Sequence, residues 1–245
     1  MLASNGKIMN SFLLKRDRFQ PRFESKTPIK TTGSKLGMDQ GINTCITCSD
    51  KQITKADRHG HTYKSIAQKI AKKKKGTKAF KKAQAHRKNY VNAAINKLNM
   101  NNIKELHLED IRYLGKGQSK SRLLQAFAHK EIKTQIEKRC KQEGVLLVYQ
   151  PSPYKSQRCN SCGFTHKSNR NNELFECKAC NHTDNADINS ALNQIADLAH
   201  LGFIKRPNKT TGFYWNSAGT WLPGEEPIVP HVTKEQFNIL QNVRF

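Results

Sequence analysis

Four cysteines constrain this chain more than any other feature. Cys159 and Cys162 form one Cys-x-x-Cys pair, and after fourteen intervening residues Cys177 and Cys180 form a second. Two such knuckles can deliver four thiolates to one tetrahedral ion, so the spacing predicts a closed structural zinc site. His166 and His182 are alternative ligands nearby, but the paired spacing favours the cysteines. Asp184 and Asp187 follow directly at the start of a helix, which places carboxylates just beyond the zinc.

The seven cysteines do not read as a secreted disulfide framework, because the number is odd and four have metal spacing. Cys45 and Cys48 form a third Cys-x-x-Cys, but they fall in a stretch, 42–48, that reads as a strand. Residues three apart on a strand point to opposite faces, so these two are expected to be packing residues. Cys140 is expected in a helix core.

Charge names the partner class. Lys and Arg total 43 against 19 Asp and Glu, a formal charge of +24, and a folded chain this basic calls for a polyanion. No acid occurs from residue 58 to 104, while residues 63–89 hold eleven Lys or Arg. A merely solvated helix face would interleave Glu for i to i+4 pairs. Lys72, Lys73, Lys74, Lys75, Lys78, Lys81, Lys82, Arg87 and Lys88 are therefore expected to line a nucleic-acid groove leading toward the acidic edge. No apolar run approaches the roughly 20 residues of a membrane span, and the N-terminus lacks a signal-peptide core. A cytoplasmic, nucleoid-associated protein is expected, not a secreted or membrane one.

Residues 1–34 read as a basic segment with a hairpin formed by 8–15 and 19–25. Strands are expected at 35–39, 42–48 and 52–54, then a basic helical region broken near Gly76, a fourth strand at 103–109, and an amphipathic helix at 119–142 ended by Gly144. The apolar run 145–149 suits a strand buried on both faces. The knuckle occupies 156–183, Asp184 caps a last helix reaching about His200, and 201–245 reads as an irregular tail. Three strands, helix, strand, helix, strand, inserted knuckle, helix is the element order of an RNase H-like α/β fold, here spanning 35–155 and 184–200.

Asp39 ends the first of these strands and Glu109 the fourth. Each is preceded by two apolar residues on alternate positions, Leu36 with Met38 and Leu106 with Leu108, so each acid leaves the opposite face from its pair. Asp187 shares a helix side with Ala191 and Ile195 and is expected to face the sheet. Three carboxylates meeting at one sheet edge can hold two Mg²⁺ or Mn²⁺ ions, the requirement of phosphodiester hydrolysis. Taken singly, each acid has another reading: Asp184 and Asp187 as helix-start charges, Asp39 as a turn residue, Glu109 and Asp110 as a solvated strand end.

Together these residues resemble the nuclease half of the transposon-encoded TnpB family and its relatives, the type V CRISPR effectors. In that family a RuvC-like mixed sheet, flanked by helices, is interrupted by a zinc knuckle. Residues 37–42, Gly-Met-Asp-Gln-Gly-Ile, look like the first RuvC motif; Leu108, Glu109 and Asp110 look like the second; residues 156–163 match the knuckle entry; and 187–191 match the third motif. The resemblance favours Glu109 over Asp110 as the ligand. Gln40 stands where an apolar residue is common, Lys155 where Thr is usual and Ser190 where Ala is usual. The family also carries a wedge and a helical recognition domain before the first motif, and these hold guide RNA and open the target duplex; here 38 residues precede Asp39.

The resemblance implies a metal-dependent DNA endonuclease with Asp39, Glu109 and Asp187 as catalytic Mg or Mn ligands, one structural zinc, DNA as substrate and guide RNA as a further partner. Competing readings are a structure-selective, resolvase-like nuclease, a nucleic-acid-binding regulator with a silent nuclease fold, and a decayed transposon fragment.

Overall fold

The computed structural model describes residues 6–15, 18–25, 27–111, 121–201 and 211–225. The chain divides into two units: 1–36, 40–46 and 52–150 make the first, and 37–39, 47–51 and 151–245 the second. Four strands form one sheet in the order β4-β3-β5-β6, with β3 at Ser34–Asp39, β4 at Thr47–Cys48, β5 at Ile103–Asp110 and β6 at Leu146–Pro151. The expected α/β class is what is found.

The first unit opens with the expected hairpin, β1 (Gly6–Lys15) paired antiparallel with β2 (Arg18–Ser25). Helix α1 (Tyr63–Ala71) starts on a capping box in which Thr62 and Ser65 satisfy each other's backbone N–H groups. Helix α2 (Lys78–Asn96) starts on Thr77, whose hydroxyl accepts from Phe80 N at 3.2 Å. The break between them falls at Gly76, which takes φ +83°. Tyr63, Ile66, Ala67 and Ile70 from α1 and Tyr90, Val91 and Ile95 from α2 are buried with Ile132, Ile136 and Cys140.

Four expectations for this unit are corrected, the first being the strand expected at 52–54, which is only an isolated bridge at Ile53. The stretch 42–48 is a strand only at Thr47–Cys48: residues 42–45 bend, and Gly41 N donates to Thr44 O at 3.1 Å. Cys45 therefore lies in a bend, although it and Cys48 are both fully buried packing residues whose thiols burial pushes up. The expected helix 119–142 is two, α3 (Arg122–Gln125) and α4 (His129–Glu143), and its residues 119–120 lie outside the described residues. The chain breaks at 126–128 because other groups use the freed backbone: Ala126 O accepts from Arg87 Nη1 at 2.6 Å and Ala128 N donates to Tyr63 Oη at 2.9 Å. Strand β6 ends the sheet order and is not buried on both faces, with Leu146 43% and Tyr149 38% exposed. The Tyr149 ring lies under Lys133 Nζ at 4.4 Å, and its hydroxyl donates to Glu137 at 2.7 Å. Gly144 ends α4 as expected, at φ +65°, where a Cβ would sit 2.2 Å from Pro28 O.

The second unit holds the end of β3, β4, the knuckle strands β7 (Phe164–Thr165), β8 (Arg170–Asn171), β9 (Leu174–Glu176) and β10 (Thr183–Asn185), and helix α5 (Ala186–Ile195). Asp184 does not cap α5. It lies in β10 opposite Phe175, and Asn185 is the cap, accepting from Asp187 N at 3.0 Å and Ile188 N at 3.1 Å. The helix stops at Ile195 rather than near His200, because Ala196 turns extended and Ala199 is tied at 2.9 Å through its N–H to Asn216 O. Within the expected irregular tail, β11 (Phe213–Asn216) and β12 (Gly219–Trp221) form a hairpin that pairs antiparallel with β7. Residues 202–210 and 226–245 of that tail lie outside the described residues.

Candidate active site and metal knuckle

The two Cys-x-x-Cys segments fold into the same turn. Cys159 N donates to Phe164 O and Gly163 N to Cys159 O; in the second, Cys177 N donates to His182 O and Asn181 N to Cys177 O, all at 2.9–3.0 Å. Each turn needs a left-handed residue just after its second cysteine, Gly163 at φ +82° and Asn181 at φ +56°. The four sulfurs all lie within 4.8 Å of one another, with 3.8 Å between Cys159 and Cys180 and 3.6 Å between Cys162 and Cys177. Zinc–thiolate bonds of about 2.3 Å in a tetrahedron put sulfurs about 3.8 Å apart. The donor set therefore fits a metal such as zinc. Among the described residues these four are the one set of three or more His, Cys, Asp or Glu gathered closely enough to share an ion, and neither His166 nor His182 belongs to it.

A buried polar network holds the knuckle to α5. Arg158, 6% exposed, donates to Trp215 O at 2.8 Å and to Asn193 Oδ1 at 2.6 Å. Asn193 returns its amide to Lys155 O and Arg158 O, and Asn189 donates to Arg158 O while accepting from Asn160 N. Asn189 and Asn193 are fully buried, so α5 is placed by hydrogen bonds as well as by Ala186 and Ala191.

The end of β3 lies against the same helix. A Cβ on Gly37 would fall 1.9 Å from Ala191 O, so only glycine lets the strand approach this closely. Asp39, 8% exposed, follows two residues later, and Ser190 Oγ donates to its Oδ1 at 2.8 Å. Asp187, 6% exposed, sits three residues before Ser190, and so neighbours it on the helix face. Its carboxylate is paired with Arg170 Nη2 at 2.5 Å. Two acids from segments about 150 residues apart in sequence are thus buried at one end of α5.

Glu109 lies in the first unit at the end of β5, half-buried, and its backbone carbonyl accepts from Gln40 Nε2 at 3.4 Å. Gln40 Oε1 is buried without a hydrogen-bond partner. Of the basic residues, Lys72, Lys74, Lys75, Lys78, Lys81, Lys82 and Lys88 are exposed, while Lys73 and Arg87 are half-buried. Arg87 is engaged by Ala126 O and lies 4.0 Å from Glu131. Arg170 is the functional candidate that sequence reasoning missed, since nothing in its own surroundings signals a partner 17 residues away. Ser190 did carry a signal: a hydroxyl where the resembled family has alanine.

Residues 129–194 match the family described as Cas12f1-like, TNB domain. The chain is 33% identical over 87 residues to the CRISPR-associated endodeoxyribonuclease Cas12f1 of Sulfoacidibacillus thermotolerans, covering 35% of this chain and 19% of that protein. It is 24% identical over 209 residues to the putative RNA-guided DNA endonuclease InsQ of Escherichia coli, covering 72% of this chain and 52% of that protein. A TnpB-like protein of Aquifex aeolicus is 30% identical over 92 residues, 35% of this chain and 30% of the relative. The chain thus spans about half or less of the length of these relatives. The sequence is thus similar to TnpB-like and Cas12f1 proteins, and the stretch that matches the Cas12f1-like TNB domain runs from α4 through the knuckle to the last helix.

Proposed function

We propose that the chain is a divalent-metal-dependent DNA endonuclease of RuvC and TnpB type, built on an RNase H-like sheet with an inserted zinc knuckle and acting in the cytoplasm. The observation that carries this reading is the burial of Asp39 and Asp187 at one end of α5, with Ser190 holding the first and Arg170 the second. Carboxylates cost free energy when removed from water, and an arrangement that keeps two of them there is explained by cations that they are to receive. Asp39, Glu109 and Asp187 are the proposed ligands for Mg or Mn. When bound, such ions activate the attacking water and neutralise the leaving oxygen. A two-ion site spans about 3.5–4 Å between ions, so its carboxylates need not converge on one point.

The chain's own residues position and balance charge. Ser190 fixes the Asp39 carboxylate through Oδ1. The Arg170 guanidinium offsets the charge of Asp187 and holds its carboxylate in place. Cys159, Cys162, Cys177 and Cys180 would hold the structural zinc that keeps Arg170 and α5 in register. The basic residues between Lys72 and Lys88 supply the path for DNA. The names of Cas12f1 and InsQ, an endodeoxyribonuclease and an RNA-guided DNA endonuclease, support DNA as substrate and a guide RNA as partner.

The test is cleavage of end-labelled DNA in Mg²⁺ or Mn²⁺ by the chain with its copurifying nucleic acid, which is then sequenced. Asp39→Asn and Asp187→Asn should each lower the rate at least ~10³-fold, the scale of several kcal/mol of transition-state charge stabilisation, with DNA affinity unchanged. Metal-dependent cleavage that survives both substitutions would overturn the assignment. One discrete small RNA in the copurified pool would support guidance, and random fragments would point to a charge-driven binder.

A further inference from the structure

Between α1, α2 and α3 lies a cavity of about 190 Å³ whose wall carries Lys75, Arg87 and Arg122 beside Gln84, Gln125 and Phe80. These three cations come from separate elements, so their meeting is not visible in the run of lysines along the sequence. Each is already oriented by an uncharged acceptor. Lys75 Nζ donates to Gln125 Oε1 at 2.8 Å, Arg122 Nη2 to Lys73 O at 2.9 Å, and Arg87 Nη1 to Ala126 O at 2.6 Å. Among the described residues, the one carboxylate paired with any of the three is Glu131, at 4.0 Å from Arg87. The cluster therefore keeps a net positive charge, with Arg87 half-buried and Lys75 and Arg122 exposed to an incoming anion. The Arg87 Nε–H is also buried with no acceptor, a donor that an oxyanion would satisfy.

We propose that this cavity is a phosphate site for a polynucleotide backbone, seating one phosphodiester among Lys75, Arg87 and Arg122. It rests on the nucleic-acid part of the function proposed above, and it names one anchor at which two guanidinium groups join an exposed lysine. Planar guanidinium groups suit a phosphate that is to be held in one orientation, whereas the flexible lysines along α2 attract without fixing register.

The experiment measures binding of labelled single-stranded DNA to the full chain by fluorescence anisotropy across a salt series, in an Asp39→Asn background that prevents cleavage. Lys75→Gln with Arg122→Gln should weaken binding about 10-fold and lower the salt slope by about 0.7 for each cation removed, so about 1.4 for the pair. Lys64→Gln with Lys69→Gln removes the same charge from α1 outside the cavity and should change affinity less than about 2-fold. Gln84→Glu, which adds a carboxylate to the wall and removes no cation, should match the first pair and guards against a folding artefact. Inorganic phosphate at constant ionic strength should compete with the oligonucleotide in the parent chain and not in the Lys75 and Arg122 variant. Equal losses in the two double variants, or competition that persists in the Lys75 and Arg122 variant, would overturn the site. Metal-dependent cleavage by chains retaining Asp39 reports separately on the nuclease reading, so either proposal can fail alone.

Discussion

Arg158 in the second unit and Lys74 in the first carry the same charge in opposite settings. Arg158 is 6% exposed and bonded to Trp215 O and Asn193, whereas Lys74 projects into solvent on a stretch with Lys72, Lys75 and Lys78. One unit uses polar groups to set positions, and Arg158, Asn189 and Asn193 are matched donor to acceptor. The other uses them to make a field, which depends on their number and sign and little on their rotamers. The contrast implies that substitutions in the second unit act on folding and geometry, and those in the first on affinity and its salt dependence.

The largest effect should come from disrupting the cysteine quartet. Cys177→Ser, or chelation of the parent chain, should abolish zinc binding and with it the near-ultraviolet signal of Trp215. Structural zinc in small domains contributes an apparent ~10–16 kcal/mol, more than a domain's margin of stability. Zinc content by mass spectrometry that is unchanged in Cys177→Ser would break the assignment.

Next in size is Gly37→Ala. Its Cβ would meet Ala191 O at 1.9 Å, a backbone atom that cannot swing aside, so a loss of about 4 kcal/mol or more is expected in denaturant titration. Gly41→Ala is the internal comparison: its nearest neighbour would be Thr44 O at 3.3 Å, and its cost should stay below about 1.5 kcal/mol.

Arg158→Met should cost about 3 kcal/mol, since it leaves Asn193 Oδ1 and Trp215 O without their donor in a buried setting. The same measurement on Lys72→Gln, Lys74→Gln, Lys78→Gln and Lys81→Gln combined should move stability by no more than about 0.5 kcal/mol, as surface changes do. That variant should instead flatten the dependence of log affinity on log salt by about 0.7–0.9 for each phosphate no longer neutralised. A stability loss as large as that of Arg158→Met would erase the distinction between the two units.

The parts legible in the sequence are those whose signal is local. Cysteine spacing locates the quartet, Gly144 marks the end of α4, and the alternation of Leu36 and Met38 against Asp39 places the strand that carries the acid. What stays illegible depends on partners far along the chain. Nothing near Arg170 announces Asp187, and nothing near Arg158 announces Trp215, 57 residues later. The run 145–149 reads as doubly buried because apolar composition does not say which strand ends a sheet. The hairpin at 213–221 leaves no period-two signal in the sequence, because Phe213, Tyr214 and Trp215 are all aromatic and alternate only in their burial.

That hairpin bears on how far such a chain can be shortened. A protein cut at residue 200 would keep every cysteine and every candidate metal-binding acid, and by motif inspection it would look intact. It would nevertheless lose the carbonyl of Trp215 that accepts from Arg158, the Trp215 N–H that pairs with Gly163 O in the first knuckle turn, and the strand that pairs with β7. The segment after the last motif is therefore a splint for the knuckle. Minimal versions of this architecture should be trimmed beyond Leu222 rather than before Phe213.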